Sequence, residues 1–511
     1  MNLKNITQNF TQKFPGDFSA NTMQRQTPEV LFCSVKPAEF ENTILIDFNQ
    51  DLSLETGLGA LENDEDFLAA QNLPENFNTY ATAYAGHQFG NWAGQLGDGR
   101  AIYAGEIFSS GKLTEIQWKG AGATPYSRHA DGRAVLRSSI REYLMSEAMF
   151  HLGIPTTRAL SISKTGEDVI RDIQYSGNPQ KEQGAVVVRT AESFLRFGHF
   201  ELLSARNQTD LLKQLADYTI ENFYPEVNSE NNHNKYLDWF QAVCDGTLKM
   251  IIDWYRVGFV HGVMNTDNMS ILGLTIDYGP FSMMDGYDLE FTPNTTDLPG
   301  KRYAFGKQGQ ISHWNLATLA NAIFPLVNDE DALEKILDSY GKKFWTDHDK
   351  MLANKFGFDE VLPEDDRFFT DWQQLMQDLN LDYTLFFQSL EKPISEIKID
   401  DFSNSFYRNL KDSELTRLSD FIGKYQERKL KNKISETHSL TLMSKTNPKF
   451  TLRNYLLFEA IQDAENGDYK SFFRLKEALQ NPYENCFPEF NQKRPSKYDN
   501  QTGCSQLSCS S

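Results

Sequence analysis

The chain has 511 residues, of which 50 are Lys or Arg and 70 are Asp or Glu, so its formal net charge is -20. The length suits two or three ordinary domains, and a 40% hydrophobic and 13% aromatic composition excludes a wholly disordered chain. The acidity argues against binding to DNA or to an anionic membrane, and no apolar stretch approaches the about 20 residues that span a bilayer. We therefore expect no nucleic-acid or membrane partner, and a cytoplasmic location, because the first residues lack the pattern of a secretory signal.

The predicted elements divide the chain into a strand-rich part and a helix-rich part. We expect an N-terminal extension at residues 1–75, a strand-rich lobe at 76–200, a helical lobe at 201–486 and a flexible tail at 487–511. Hydrophobic periodicity predicts strands at 101–108, 113–119, 160–163, 168–174 and 184–189, and helices at 139–152, 211–224, 236–257, 314–323, 331–345 and 415–425. Strands followed by helices favour an α+β fold with two lobes and a cleft between them.

The cysteines do not indicate a structural framework. There are five, at Cys33, Cys244, Cys486, Cys504 and Cys509, and their number and spacing fit neither a set of disulfides nor a zinc motif. Cys504 and Cys509 are expected on the poorly packed tail. A redox or regulatory role for this pair is the alternative.

A glycine-rich loop precedes two strands and a lysine. Gly97-Asp98-Gly99-Arg100 leads into the strand at 101–108, and Lys119 ends the strand at 113–119. Glycines let backbone amides approach phosphate oxygens closely, and a lysine on the next strand can reach the same phosphates. This order resembles the nucleotide-binding lobe of protein kinases, and it differs from a P-loop because no Gly-Lys-Ser/Thr follows the glycines.

Glu142 has two possible roles. In kinase architecture a helix glutamate pairs with the strand lysine and holds it for catalysis. The segment Ser139-Ile-Arg-Glu142 also has the spacing of a helix capping box, in which Glu142 would satisfy backbone amides. The spacing alone leaves both roles open.

A third signal lies in His261-Gly-Val-Met-Asn-Thr-Asp267-Asn268, followed by Asp277-Tyr-Gly279. Kinases place a histidine and an asparagine at this spacing in the catalytic loop, and an Asp-Phe-Gly after it. Val263 stands where the catalytic aspartate would be, and valine cannot accept a proton. Either the site is inactive or Asp267 serves instead, unless Asp267 merely forms a turn. Asn268 and Asp277 carry oxygens of the kind that Mg²⁺ accepts, although Asp277 could also be a solvated strand end.

Two arginines complete the candidate residues. Arg189 is expected at the end of a strand, and Arg196 lies seven residues later. Guanidinium groups suit two-pronged contacts with phosphates. The commoner fate of an isolated arginine in an acidic protein is a surface salt bridge, and that alternative stays open here.

Several uninterrupted blocks, at residues 95–100, 119–122, 124–128, 131–134, 261–268 and 277–281, resemble the selenoprotein O family. The resemblance implies a protein-kinase-like two-lobed fold with family-specific extensions. It also implies transfer of AMP from ATP to Ser, Thr or Tyr hydroxyls of proteins, with the nucleotide flipped so that its α-phosphate faces the acceptor. Transfer of UMP from UTP is attributed to bacterial relatives.

The resemblance also assigns roles to individual residues. Lys119 and Glu142 would form an ion pair, Asp267 would be the proton acceptor, and Asn268 with Asp277 would bind Mg²⁺ or Mn²⁺. The nucleotide would be held by Gly97, Gly99, Arg100, Lys119, Asp131, Gly132, Arg189, Arg196 and Asp277. Two alternative functions remain, a protein kinase that uses the γ-phosphate and an ATP-binding scaffold with no turnover. For the oligomeric state, we expect a monomer.

Overall fold

The computed structural model describes residues 5–173, 177–227 and 232–508. The strands are β1 Gly16–Asp17, β2 Phe32–Ser34, β3 Ile44–Phe48, β4 Tyr80–Thr82, β5 Ala85–Gln88, β6 Asn91–Gln95, β7 Ala101–Ser109, β8 Lys112–Lys119, β9 Ala134–Val135, β10 Arg158–Arg171, β11 Gln180–Ala191, β12 Phe259–Val260 and β13 Ser282–Met283. The helices are α1 Asn9–Lys13, α2 Gln50–Thr56, α3 Glu65–Leu68, α4 Leu136–His151, α5 Phe197–Ala205, α6 Thr209–Phe223, α7 Asn232–Val257, α8 Gln308–Val327, α9 Glu330–Phe356, α10 Asp365–Leu379, α11 Tyr383–Ser389, α12 Asp412–Lys429, α13 Glu436–Thr446, α14 Asn454–Glu465 and α15 Lys470–Leu479.

The strand-rich part is built on one large sheet in the first 200 residues. Its strand order is β1-β2-β4-β7-β8-β11-β10-β3, and β9 pairs with β11. The central pairs β7–β8, β8–β11 and β10–β11 are antiparallel. Two smaller sheets, β5–β6 and β12–β13, lie off this sheet. The two strands predicted at 101–108 and 113–119 form the antiparallel hairpin β7–β8.

The alternation of side chains along β11 explains how the sheet is covered on both faces. Val186 and Val188 belong to the core on the face covered by the N-terminal extension, together with Trp118 of β8. Ala185 and Val187 belong to the larger core that includes helix α4. Because successive strand residues point to opposite faces, these apolar residues bury both sides of the sheet.

Helix α4 places the residues that link the sheet to the helical part. It starts at Leu136 with Val135 as its N-cap, three residues before the predicted start. Most of its side chains are buried, because the sheet covers one side and α14 and α15 pack on another. Its hydrophobic residues therefore spread around the helix rather than along one narrow stripe.

The rest of the described chain is helical. Each helix predicted after residue 200 lies within, or nearly within, a helix of the structure, and the long α8 and α9 extend well beyond their predictions. Helix α9 is delimited by its caps, because Asp329 accepts from Ala332 N at the start and Gly357 is left-handed at the end. A strand-rich first part and a helical second part confirm the α+β class.

The predicted flexible tail is wrong for its last described residues. Cys504 and Leu507 are buried. Thr295 N donates a hydrogen bond to Leu507 O at 2.7 Å, so the segment is tied to the loop after β13. Cys509 lies outside the described residues, as does the end of the strand predicted at 168–174. None of the described helices is long and apolar enough to cross a membrane.

Candidate active site

A cleft of about 670 Å³ opens between the large sheet and the loops that follow β12. The predicted site residues that line it are Gly97, Gly99, Arg100, Lys119, Glu142, Arg189, Arg196, Asn268 and Asp277. Residues far apart in the chain therefore meet at one concave place. A cleft with charged groups converging on it is the arrangement expected of a site for one extended polar ligand.

Lys119 is the last residue of β8, and its ammonium group reaches two carboxylates. Lys119 Nζ lies 2.8 Å from Glu142 Oε2 and 3.4 Å from Asp277 Oδ1. Glu142 lies within α4, well past the N-terminus at Leu136, so the capping-box role is excluded. The helix instead presents Glu142 to the cleft as a partner for Lys119.

Arg189 and Arg196 also converge on Asp277. Arg189 Nη1 lies 2.7 Å from Asp277 Oδ1 and 3.0 Å from Glu142 Oε1. Arg196, the N-cap residue of α5, binds the other carboxylate oxygen of Asp277 through Nη1. Both arginine side chains are only 2% exposed, so they are not surface salt bridges. Three cations thus surround one aspartate.

The surroundings of Asp277 decide its ionisation. Burial alone would raise the pKa of Asp277, but the charges of Arg196, Lys119 and Arg189 outweigh burial and hold this pKa well below its usual range. The residue has a left-handed backbone, with φ of +58°. Asp277 is thus an ionised carboxylate on a residue with an unusual backbone conformation. Such conformations are common at functional sites.

Asp267 has the opposite electrostatic setting. It lies in a short 3₁₀ turn at Thr266–Asn268 and is 8% exposed. Its Oδ2 accepts a hydrogen bond from Gln88 Nε2 at 3.2 Å, whereas within the described residues its buried Oδ1 has no hydrogen-bond partner. Burial raises the pKa of Asp267 to about 6. A carboxylate with a pKa near neutrality is suited to take up a proton.

The loop before Asp267 is organised by buried polar contacts. Asn268 Nδ2 donates to Val263 O at 2.9 Å, which leaves the Asn268 amide oxygen as the available acceptor. His261 accepts from Val263 N at Nδ1, and its Nε2 donates to Ile276 O at 2.9 Å. Burial lowers the pKa of His261, consistent with a neutral ring that shapes the loop.

The two loop glycines are needed for close packing as well as for access to the cleft. A Cβ on Gly97, whose φ is +149°, would lie 2.4 Å from the ring of Tyr126. A Cβ on Gly99 would lie 2.9 Å from Tyr126 O. Ser127 Oγ donates to Gly99 O at 2.6 Å. The loop is therefore fastened to the segment around Tyr126, which lies in the block 124–128 that contributed to the family resemblance but to which no role was assigned.

Asp131 and Gly132 are not brought into the cleft. Asp131 forms a two-pronged pair with Arg171, at 2.8 and 2.7 Å. A Cβ on Gly132 would lie 2.1 Å from Gly122 O, so this glycine is required by a close backbone approach. Their predicted part in nucleotide binding stays a prediction.

The hairpin formed by β5 and β6 contributes residues that the sequence analysis did not assign. Gln88, which hydrogen-bonds Asp267, also lines the cleft. The dense glycines at Gly86, Gly90 and Gly94 were visible in the sequence, and they were the available signal. Their spacing indicates tight turns but does not reveal which loop the hairpin contacts.

Residues 18–480 match the family model described as Protein adenylyltransferase SelO. The chain belongs to this family. The match spans both the strand-rich and the helical part, and the family predicted from the motifs is confirmed. Membership of the SelO family places the chain among enzymes, and the predicted class, a protein nucleotidyltransferase, is confirmed as well.

Relatives of similar length carry a matching name. A protein of Cytophaga hutchinsonii is 48% identical over 517 residues, covering 99% of each chain. Proteins of Flavobacterium johnsoniae and Tolumonas auensis are 45% and 43% identical, covering 100% and 98% of each chain, respectively. All three are named Protein nucleotidyltransferase YdiU. The similarity therefore extends over the whole chain and is not confined to the cleft.

Proposed function

We propose that this SelO-family chain has a protein-kinase-like two-lobed fold and transfers AMP from ATP to Ser, Thr or Tyr hydroxyls of proteins. The observation that carries the proposal is the convergence of Lys119, Arg189 and Arg196 on Asp277 inside one cleft. The three cations outnumber the two carboxylates that they contact, those of Glu142 and Asp277, so the site attracts the negative charge of a polyphosphate. ATP is the ligand class that such a cleft fits.

The chain's own residues account for the transfer step. The acceptor hydroxyl oxygen forms a bond to the α-phosphorus, and the bond from that phosphorus to the oxygen bridging to the β-phosphate breaks. Pyrophosphate leaves, and the hydroxyl proton passes to the carboxylate of Asp267. The cations Lys119, Arg189 and Arg196 stabilise the charge that accumulates on the phosphates. Gly97, Gly99 and Arg100 also line the cleft and would contact the remaining nucleotide.

Asn268 and Asp277 would hold a divalent ion, Mg²⁺ or Mn²⁺. The donor types fit, because the Asn268 amide oxygen is available and Asp277 is ionised. In the described ranges no group of three or more His, Cys, Asp or Glu is arranged to hold a metal ion. Two protein oxygens are too few for a complete site, so phosphates and water would supply the other ligands. The bound ion would neutralise phosphate charge.

Two alternatives differ in which part of the nucleotide is transferred. A protein kinase would transfer the γ-phosphate, but Val263 lines the cleft at the position where kinases carry the catalytic aspartate. The relatives are named nucleotidyltransferases without a stated nucleotide, so UMP transfer from UTP is compatible with their names. A scaffold without turnover has no need for a carboxylate of raised pKa beside the cleft. Cytoplasmic location and a monomeric state stay predictions.

The test uses ATP labelled on either the α- or the γ-phosphate, with casein and the chain itself as acceptors. We expect protein-bound label from α-labelled ATP only. Label from γ-labelled ATP would mean a kinase, and no label from either would favour the scaffold. A parallel reaction with α-labelled UTP measures whether UMP is transferred at a comparable rate.

A further inference from the structure

The glycine-rich hairpin β5–β6 is the element that contacts the predicted base. Its two-residue turn, Phe89-Gly90, has positive φ at both positions, +50° and +81°, as in a type I′ turn. Glycine adopts this backbone freely, but a bulky residue such as Phe89 does so only at a cost of about 1 to 3 kcal/mol. Strain of this kind persists only where surrounding contacts hold it.

Two hydrogen bonds hold Phe89, one to the loop that carries Asp267 and one to Tyr303. Phe89 N lies 3.2 Å from Asn265 Oδ1 and 2.9 Å from the hydroxyl of Tyr303. The Tyr303 hydroxyl in turn donates to Asn265 Oδ1 at 2.6 Å. The strained turn is thus fastened to Asn265, two residues before Asp267.

Three consecutive hairpin residues contact three consecutive loop residues. His87 N donates to Thr266 Oγ1 at 2.7 Å, and Phe89 N donates to Asn265 as described. Between them, Gln88 Nε2 donates to Asp267 Oδ2 at 3.2 Å. The backbone hydrogen bonds of His87 and Phe89, the neighbours of Gln88 in the chain, therefore fix the position of Gln88 relative to the Asp267 carboxylate.

Gly86, on the same strand as Gln88, also lies close to Asp267. A Cβ at Gly86 would lie 2.7 Å from Asp267 Oδ1 and 2.9 Å from Asp267 Cβ. Arg196 Nη1 donates to Asp267 O at 2.7 Å and so fixes the main chain at Asp267. Asp267 therefore has the hairpin packed closely against its side chain, and its main chain is anchored by Arg196.

We infer that Gln88 is a positioning residue, which holds the carboxylate of Asp267 in the orientation required for proton transfer during AMP transfer. This inference rests on the proposed function. The hairpin supplies the hydrogen-bond donor, and the strained Phe89-Gly90 turn and Gly86 fix where that donor stands. Misplacing a reacting group by about 1 Å can cost about 100-fold in rate, so holding the Asp267 carboxylate in place can have a large effect on the rate.

The test measures transfer from α-labelled ATP to casein for Gln88→Leu and Gln88→Glu. Gln88→Glu keeps the shape of the side chain but removes the donor, so both variants are expected to lose about 10- to 100-fold in kcat. Binding of a non-hydrolysable ATP analogue, measured by calorimetry, should stay within about twofold of the original value, because the hydrogen bond of the Gln88 side chain goes to Asp267. Gln180→Glu, on an exposed position of β11, is the matched control and should leave kcat unchanged.

A second comparison separates positioning from general damage. In the background of Asp267→Ala, Gln88→Leu should cause no further loss of the residual rate, because its effect passes through the missing carboxylate. Gly86→Ala should lower kcat as Gln88→Leu does, while thermal unfolding shows that the protein is folded. Full activity of both Gln88 variants would overturn the inference, as would an additive loss in the double variant. If the original protein transfers no α-label at all, the proposed function itself fails, a result distinct from both.

Discussion

Lys119 Nζ lies 2.8 Å from Glu142 Oε2, and this ion pair between two cleft-lining residues joins the end of strand β8 to helix α4. Because Glu142 also contacts Arg189, one carboxylate bridges two cations that belong to neighbouring strands. The sheet and the helix are thus held in the relative position that points the lysine at Asp277.

Replacing Lys119 with alanine should lower kcat/KM for AMP transfer by at least about 100-fold, since a cation for the phosphates and the partner of Glu142 are lost together. Arg189 stays bound to Glu142, so the free energy of unfolding should fall by only about 1 to 3 kcal/mol. Lys112→Ala, at the exposed start of the same strand, is the control and should change neither quantity. An unchanged rate for Lys119→Ala would rule out this residue as a phosphate partner.

Asp277 should bind metal only together with the nucleotide. Three cations face this carboxylate, so a divalent ion is repelled until phosphates neutralise them. Calorimetry should detect no Mg²⁺ or Mn²⁺ binding to the protein alone at millimolar concentrations, and clear binding with an ATP analogue present. Asp277→Ala should abolish the metal-dependent part of nucleotide affinity. Tight metal binding without nucleotide would contradict this arrangement.

Two buried glutamates should make stability fall as the pH rises. Glu106 and Glu115 are opposite each other in β7–β8, and burial raises the pKa of Glu106 to about 7 and that of Glu115 to about 8. Because these values exceed the unfolded value of 4.5, the stabilisation is complete below pH 4.5 and is lost as the pH rises through 7 and 8.

The measurement for this pair is the free energy of unfolding in urea between pH 5 and pH 9. Each unit of pKa difference corresponds to about 1.4 kcal/mol, so the original protein should lose a few kcal/mol over this interval. Glu115→Gln should reduce that slope, whereas Glu427→Gln, at an exposed position, should leave it unchanged. A Glu115→Gln protein with the original slope would show that this carboxylate is not the titrating group.

The two cysteines nearest the described C-terminal end should differ sharply in reactivity. Cys504 is buried, and burial raises its pKa to about 12, whereas Cys486 is exposed. Since the thiolate is the reactive form, iodoacetamide at pH 7.5 should label Cys486 at least about 100-fold faster than Cys504. Mass spectrometry of timed digests gives both rates. Comparable rates would mean that the segment around Cys504 opens readily.

Local sequence patterns were sufficient for elements whose contacts are local. The apolar and β-branched residues of β7 and β8 and the turn at Ser110-Gly111 define that hairpin without information from elsewhere in the chain. The motifs likewise named Lys119, Glu142 and Asp277. Whether Glu142 faced the lysine could not be decided, because the answer depends on α4 starting at Leu136, directly after β9 ends at Val135.

Features that depend on long-range packing were not predictable. The burial of Cys504 follows from the pairing of Leu507 with Asn294, over 200 residues earlier in the chain. The contact of Gln88 with Asp267 likewise joins residues that no periodicity relates. Asp131 shows the converse, because its motif suggested the nucleotide site whereas its side chain pairs with Arg171.

The central claim is that Asp267 accepts the proton of a protein hydroxyl while AMP is transferred from ATP. The most direct measurement is mass spectrometry of casein after incubation with ATP and either the original protein or Asp267→Ala, with binding of an ATP analogue measured in parallel. We predict a complete AMP adduct on hydroxyl side chains, formed about 10²- to 10⁴-fold more slowly by Asp267→Ala although its analogue affinity is retained. A phosphate adduct in place of AMP, or an undiminished rate for Asp267→Ala, would contradict the account.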